Sequence, residues 1–169
     1  MIIDANLRLM DNAAPVNSSG NTTYPGLAVS SYSTSHIDLS QYRDVGEGTQ
    51  LYAVVEITQA FNTASAGFLL TLVTGDSYAG TSTVTVGSLG LCQASAAAGV
   101  TALSAGSKYV IAIAPSIANN GFRYLYAIFY GLSATAFTQG KMTIDIVKDV
   151  QTASTASANI YPSSVSFPS

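Results

Sequence analysis

The chain alternates apolar and polar residues in short runs, with a period of two over most of its length. From Leu51 to Phe61, the residues Leu51, Ala53, Val55 and Ile57 fall on one face of an extended strand, with Tyr52, Val54, Glu56 and Thr58 on the other. Gly67 to Thr74 gathers Phe68, Leu70 and Leu72 on one face, and Lys108 to Ala114 gathers Tyr109, Ile111 and Ile113. Gly140 to Val150 sets Met142, Ile144 and Ile146 against Lys141, Thr143 and Asp145. Thr81 to Val86 alternates Thr and Val with small residues, and His36 to Leu39 is a short extended piece. Phe122 to Tyr130 is apolar on both faces, which predicts a central strand or one lying under a partner. Between these runs sit Gly, Ser, Asn and Pro, and Asn120-Gly121 between two apolar runs is a turn signal. About seven or eight strands with turns at short intervals predict an all-β, antiparallel β-sandwich, of which the jelly roll is the eight-stranded form.

The two ends read differently. Met1 to Leu9 is an extended segment, and Asp11 to Ser35 has the composition of a long polar loop. The Ala-rich stretch Gln93 to Leu103 has room for a helical turn but shows no apolar face at helical spacing. After Val150 the composition shifts: residues 151–169 carry no charge and are mostly Ser, Ala and Thr, punctuated by Ile160, Tyr161, Pro162, Val165, Phe167 and Pro168. That tail reads either as disordered or as an arm that orders in a groove on a neighbour. The expected organisation is one sandwich domain over residues 1–150 followed by the tail.

Charge narrows the function classes. Only 9% of the 169 residues are charged, and from Ile57 to Ser107 the sole charged residue is Asp76. Typical soluble domains carry about 25%. A surface built from Ser, Thr, Asn and backbone repels other copies of itself poorly. It suits a secreted or oligomeric β-protein, or one packed in an assembly. The net charge is −3, and Arg8, Arg43, Lys108, Arg123, Lys141 and Lys148 form no run, so no basic face for nucleic acid is predicted. Cys92 is the only cysteine; it cannot form an intrachain disulfide and reads as a small buried or half-buried side chain. The start Met1-Ile2-Ile3-Asp4 lacks a basic segment, and no apolar run is long enough to span a membrane. Synthesis in the cytoplasm without membrane insertion is expected.

No constellation of chemical groups emerges. His36 is the only histidine, and no G-x-S-x-G elbow supplies a nucleophile. One Cys and one His do not make a structural zinc site. Asp38, Asp44 and Glu47 lie close together without the spacing of a calcium loop, and Arg43 among them makes a charged surface loop the simpler reading. Gly46-Glu47-Gly48 lacks the third glycine of a dinucleotide site. Tyr124, Tyr126, Phe129 and Tyr130 suit stacking on a sugar, or a core or subunit interface. No catalytic residue, cofactor or metal ligand is predicted, and the expectation is a structural protein rather than an enzyme.

Three stretches together resemble the Bbp16-type capsid cement proteins of tailed bacteriophages. The first is Met1-Ile2-Ile3-Asp4-Ala5-Asn6-Leu7. The second is Ile37-Asp38-Leu39, then Arg43 to Gly48, then Leu51-Tyr52-Ala53-Val54-Val55 running to Ala60-Phe61. The third is Arg123-Tyr124-Leu125 with Phe137, Gly140-Lys141 and Ile144 to Val150. The resemblance implies a jelly-roll sandwich on the outside of an icosahedral capsid, bound to the major capsid protein. It also implies a small homo-oligomer, a dimer or trimer, with no catalytic residues to transfer. The segment Asp11 to Ser35 and the tail after Val150 are longer than the family pattern. By position, the expected capsid or subunit contacts are Ile2, Ile3, Leu7 and Leu9 in the N-terminal segment, Asp38, Arg43, Asp44 and Glu47 in the charged loop, and Ile160, Tyr161 and Phe167 in the tail. A carbohydrate-binding jelly roll of a host-attachment protein is the main rival, weakened by the absence of Trp; a hydrolase on the same fold is the third reading.

Overall fold

The structure is a computed structural model, and it describes residues 7–25, 30–39, 50–61, 67–92, 103–114, 122–132 and 137–148, with Leu91 and Cys92 described in backbone only. Among the described residues nine strands are formed: β1 (Arg8–Ala13), β2 (Ser30–Tyr32), β3 (Ile37–Asp38), β4 (Leu51–Gln59), β5 (Gly67–Gly75), β6 (Thr83–Cys92), β7 (Lys108–Ile113), β8 (Tyr124–Gly131) and β9 (Lys141–Val147). All pairings are antiparallel. One sheet runs β1-β9-β4-β7 and the other β2-β8-β5-β6, with β3 also on β8. Because β2 and β3 lie along the same edge of β8, they act as one interrupted strand. Eight strands in two four-stranded sheets, with consecutive strands switching sheet except at the β5–β6 hairpin, is the jelly-roll order.

The alternation in the sequence sets the faces. Leu51, Ala53, Val55 and Ile57 of β4 point between the sheets, with Ile111 and Ile113 of β7 and Met142, Ile144 and Ile146 of β9 beside them. Phe68, Leu70 and Leu72 of β5 and Leu125, Ala127 and Phe129 of β8 meet them from the other sheet. Phe61 sits at one end of this core, against Phe68 and Phe137 at ring-centroid distances of 5.3 and 5.2 Å. Tyr24 closes edge-on over Phe61. Gly140 lies directly under the Phe61 ring, at φ +140°, where any side chain would enter the ring.

The sheets are joined along both sides. The Ala114 amide donates to Val86 O at 2.7 Å, linking β7 to β6, and the Ser35 amide donates to Leu9 O at 3.1 Å, linking the β2–β3 connection to β1.

Two expectations need correction. The end of the extended segment expected over Met1 to Leu9 begins β1, but β1 spans Arg8–Ala13 and so enters the stretch read as polar loop. It carries two register shifts against β9, and Asn12 adopts φ 46° there. The described part of the rest of Asp11 to Ser35 is also more ordered than its composition suggests, because Val16 bridges Thr22 and Tyr32, and Ser30–Tyr32 forms β2. The Asn120-Gly121 turn and most of Gln93 to Leu103 lie outside the described residues. Leu103 is described and buried in the core.

Candidate interaction surface

The outer face of the β2-β8-β5-β6 sheet is not a plain solvated face. Tyr124, Tyr126, Ile128 and Tyr130 alternate outward along β8, opposite the inward Leu125, Ala127 and Phe129. Tyr126 and Ile128, with Val73 of β5, form a second buried cluster on this outer side. Its cover comes from the chain itself. The Asp76–Ser82 connection folds back so that the Tyr78 ring meets Tyr126 at 5.5 Å and Tyr32 at 6.2 Å. The Tyr78 hydroxyl donates to Ser33 O. The apolar outer face of β8 is thus explained largely by an intramolecular lid. Desolvation pushes the Tyr126 hydroxyl up to about 12, with Tyr32 and Asp76 adding to the rise. That hydroxyl makes no full hydrogen bond.

Toward the start of β8 the cluster opens to solvent. His36, exposed, lies 5.2 Å from the Tyr78 ring and 4.9 Å from Tyr124, the latter edge-on. Arg123 stands over Tyr124 at 5.0 Å and grips Asp38. The grip is bidentate: Nη2 to Oδ2 at 2.6 Å and Nε to Oδ1 at 3.1 Å. Hydrogen bonding and charge from Asp38 raise the Arg123 pKa further, so this cation is permanent. Chemically the rim offers aromatic edges, one fixed ion pair and an imidazole. Among the described residues, no three His, Cys, Asp or Glu side chains gather as metal ligands would.

At the other end of the same face the surface is apolar. Tyr130 is 41% exposed and Leu132 52% exposed. Leu69 of β5 is half-buried between Tyr130 and Gly90 in the register of the sheet.

The opposite sheet turns a more ordinary face outward. Arg8 bridges the buried carboxylate of Asp145 at 2.7 Å and Asp11 at 2.9 Å, and Lys108 pairs with Glu56 at 3.1 Å. Thr58 donates to Asn12 Oδ1 at 2.8 Å, and the Asn12 amide donates to Thr143 Oγ1 at 3.0 Å, fixing the irregular β1.

Of the contacts expected from sequence, three are described. Asp38, on β3, is tied to Arg123. Leu7 is half-buried and packs on the core. Leu9 is fully buried, so its side chain is engaged by the chain's own core and is not presented to a neighbour. Ile2, Ile3, Arg43, Asp44, Glu47, Ile160, Tyr161 and Phe167 lie outside the described residues, as does the side chain of Cys92. Sequence reasoning missed Tyr32 and Tyr78. Each sits in a polar stretch with no periodic signal, and only the lone tyrosine in an otherwise small-residue turn marks Tyr78.

A family model described as Bbp16 matches residues 26–146. No curated protein matches the chain. Residues that carried the resemblance are paired in space within the matched stretch: Asp38 with Arg123, Phe61 with Phe137, and Gly140 beneath Phe61. The match spans well over half of the chain, which therefore belongs to the Bbp16 family, a phage-associated family.

Proposed function

We propose that the protein is a non-enzymatic virion component that binds the outer surface of a tailed-phage capsid and cements neighbouring capsomers as a homo-oligomer. The observation that carries this reading is membership of a phage-associated family across residues 26–146. Three properties support it. The chain is acidic, which suits the outer capsid face better than the DNA-facing one. Its charge-poor surface suits packing against neighbours. The paired residues Asp38–Arg123 and Phe61–Phe137 are engaged in holding the fold.

The physics of cementing is multivalency. An oligomer that touches several capsid subunits gains effective concentration at each successive contact. Each contact need bury only about 1,000 Å² for the whole to be hard to remove. The partner is the major capsid protein, and neither a cofactor nor nucleic acid takes part. The N-terminal segment and the uncharged tail, residues 151–169, are the proposed arms.

The test is co-sedimentation of purified protein with mature capsids of its own phage stripped of it. Saturation at a fixed ratio to the major capsid protein is expected; absence of binding overturns the reading. A second reading, carbohydrate recognition, is favoured by one observation, the open rim of His36, Tyr124 and Arg123. A glycan screen that scores only with this rim intact would move the assignment there.

A further inference from the structure

The two sheets have four edges, and three of them are blunted against pairing with another chain. β1 is kinked by two register shifts and carries Arg8 and Asp11. β2 and β3 are three and two residues long, with an interruption between them. β7 has six residues and opens with Lys108. These are the means by which sheet proteins avoid adding foreign strands.

β6 has few such protections. It runs ten residues, from Thr83 to Cys92, with one register shift against β5 and no charge. Among the described residues, its free side is hydrogen-bonded by backbone only where Ala114 donates to Val86. Its two later glycines differ in kind. Gly87 is required internally, because a side chain there would come within 2.9 Å of the Ala112 carbonyl and of Ile111. Gly90 has no such reason: a Cβ would meet nothing within 4 Å, its φ is not positive, and the register is regular around it. A mid-strand glycine weakens a strand, and without an internal cause it marks a place where another backbone approaches closely. Leu69 of β5 lies beside it in the register.

We propose that the Ser88–Cys92 half of β6 pairs antiparallel with the same segment of a second copy about a two-fold axis, with Gly90 at the centre of the contact. The occupant is a second copy because an antiparallel edge is complementary to itself under two-fold rotation. Two uncharged β6 strands also approach without repulsion. Bare backbone at Gly90 lets the partner settle against Leu69. This names the self-association surface of the oligomer proposed above, and its test needs no capsid, so the two can fail separately.

Sedimentation equilibrium from about 1 to 100 μM covers the range in which a modest interface is populated. A dimer is expected for the full chain. Gly90→Lys, placed in open space, should retain the far-UV circular dichroism and melting of the parent while weakening dimerisation at least about tenfold. Ser88→Lys, at an exposed position of the same edge, should act in the same direction and serves if the first variant misfolds. A chain that stays monomeric, one that forms a closed species other than a dimer, or a dimer unmoved in a folded variant overturns the proposal.

Discussion

Gly140 shows how much one residue can be asked to do. It combines a φ of +140° with a position under the Phe61 ring, so backbone conformation and packing both demand hydrogen. Gly140→Ala is therefore expected to cost at least about 3 kcal/mol, since strain at a positive φ and overpacking add; urea unfolding measures it. Tyr126 makes the opposite case. Its ring belongs to a buried cluster, but its hydroxyl is buried without a full partner. An unfolded tyrosine ionises near pH 10, whereas burial holds this one to about 12. Its neutral form thus contributes stability that is complete below about pH 10 and is lost as pH rises through about 12, roughly 2–3 kcal/mol in all. Tyr126→Phe should leave stability at neutral pH unchanged or higher by up to about 1–2 kcal/mol. It should also move base-induced unfolding to higher pH, followed by fluorescence. Tyr78, raised by desolvation and then by Tyr32, keeps part of the alkaline sensitivity in that variant.

The interrupted β2–β3 strand is held by Ser33, a fully buried residue whose hydroxyl accepts from the Ala127 amide at 3.0 Å and donates to Ser35 O at 2.8 Å. It substitutes for the ladder where backbone pairing lapses. Ser33→Ala leaves the Ala127 amide buried without that acceptor and is expected to cost about 1–3 kcal/mol in chemical denaturation. Of this element the sequence showed β3, as the short extended piece His36 to Leu39, but not β2. Ser30–Tyr32 turns Ser31 inward, so the buried face carries no apolar signal. β1 was misplaced for a related reason: its two register shifts break the period of two that sequence reading depends on. Where pairing is regular the reading held, as with Leu51, Ala53, Val55 and Ile57 on β4 or Met142, Ile144 and Ile146 on β9. For β8 the apolar outer face was legible, but its cover was not. Tyr78 and Tyr126 are far apart in sequence, and nothing local to either marks the contact. The Asp38–Arg123 pair, 85 positions apart, was visible only as two members of a family pattern.

The molecule as a whole is a sandwich nearly closed into a barrel, joined at Ala114–Val86 on one side and Ser35–Leu9 on the other. It turns one patterned face and one unprotected edge to its surroundings. Those features are what the proposed assembly role draws on, and a protein of this kind would owe its function to surfaces rather than to a pocket. The strand order also governs how the molecule comes into being. Only β5 and β6 are neighbours both in the chain and in a sheet. β1 pairs with β9, β2 and β3 pair with β8, and β4 pairs with β7 and β9. During synthesis the first four strands therefore emerge with no sheet partner yet made, and the β5–β6 hairpin is the natural nucleus. Sheets dominated by such distant pairings fold in about milliseconds to seconds. β1 cannot dock until β9 has left the ribosome, so a finished sandwich, and with it any particle-binding surface, becomes available only after synthesis has passed Val147.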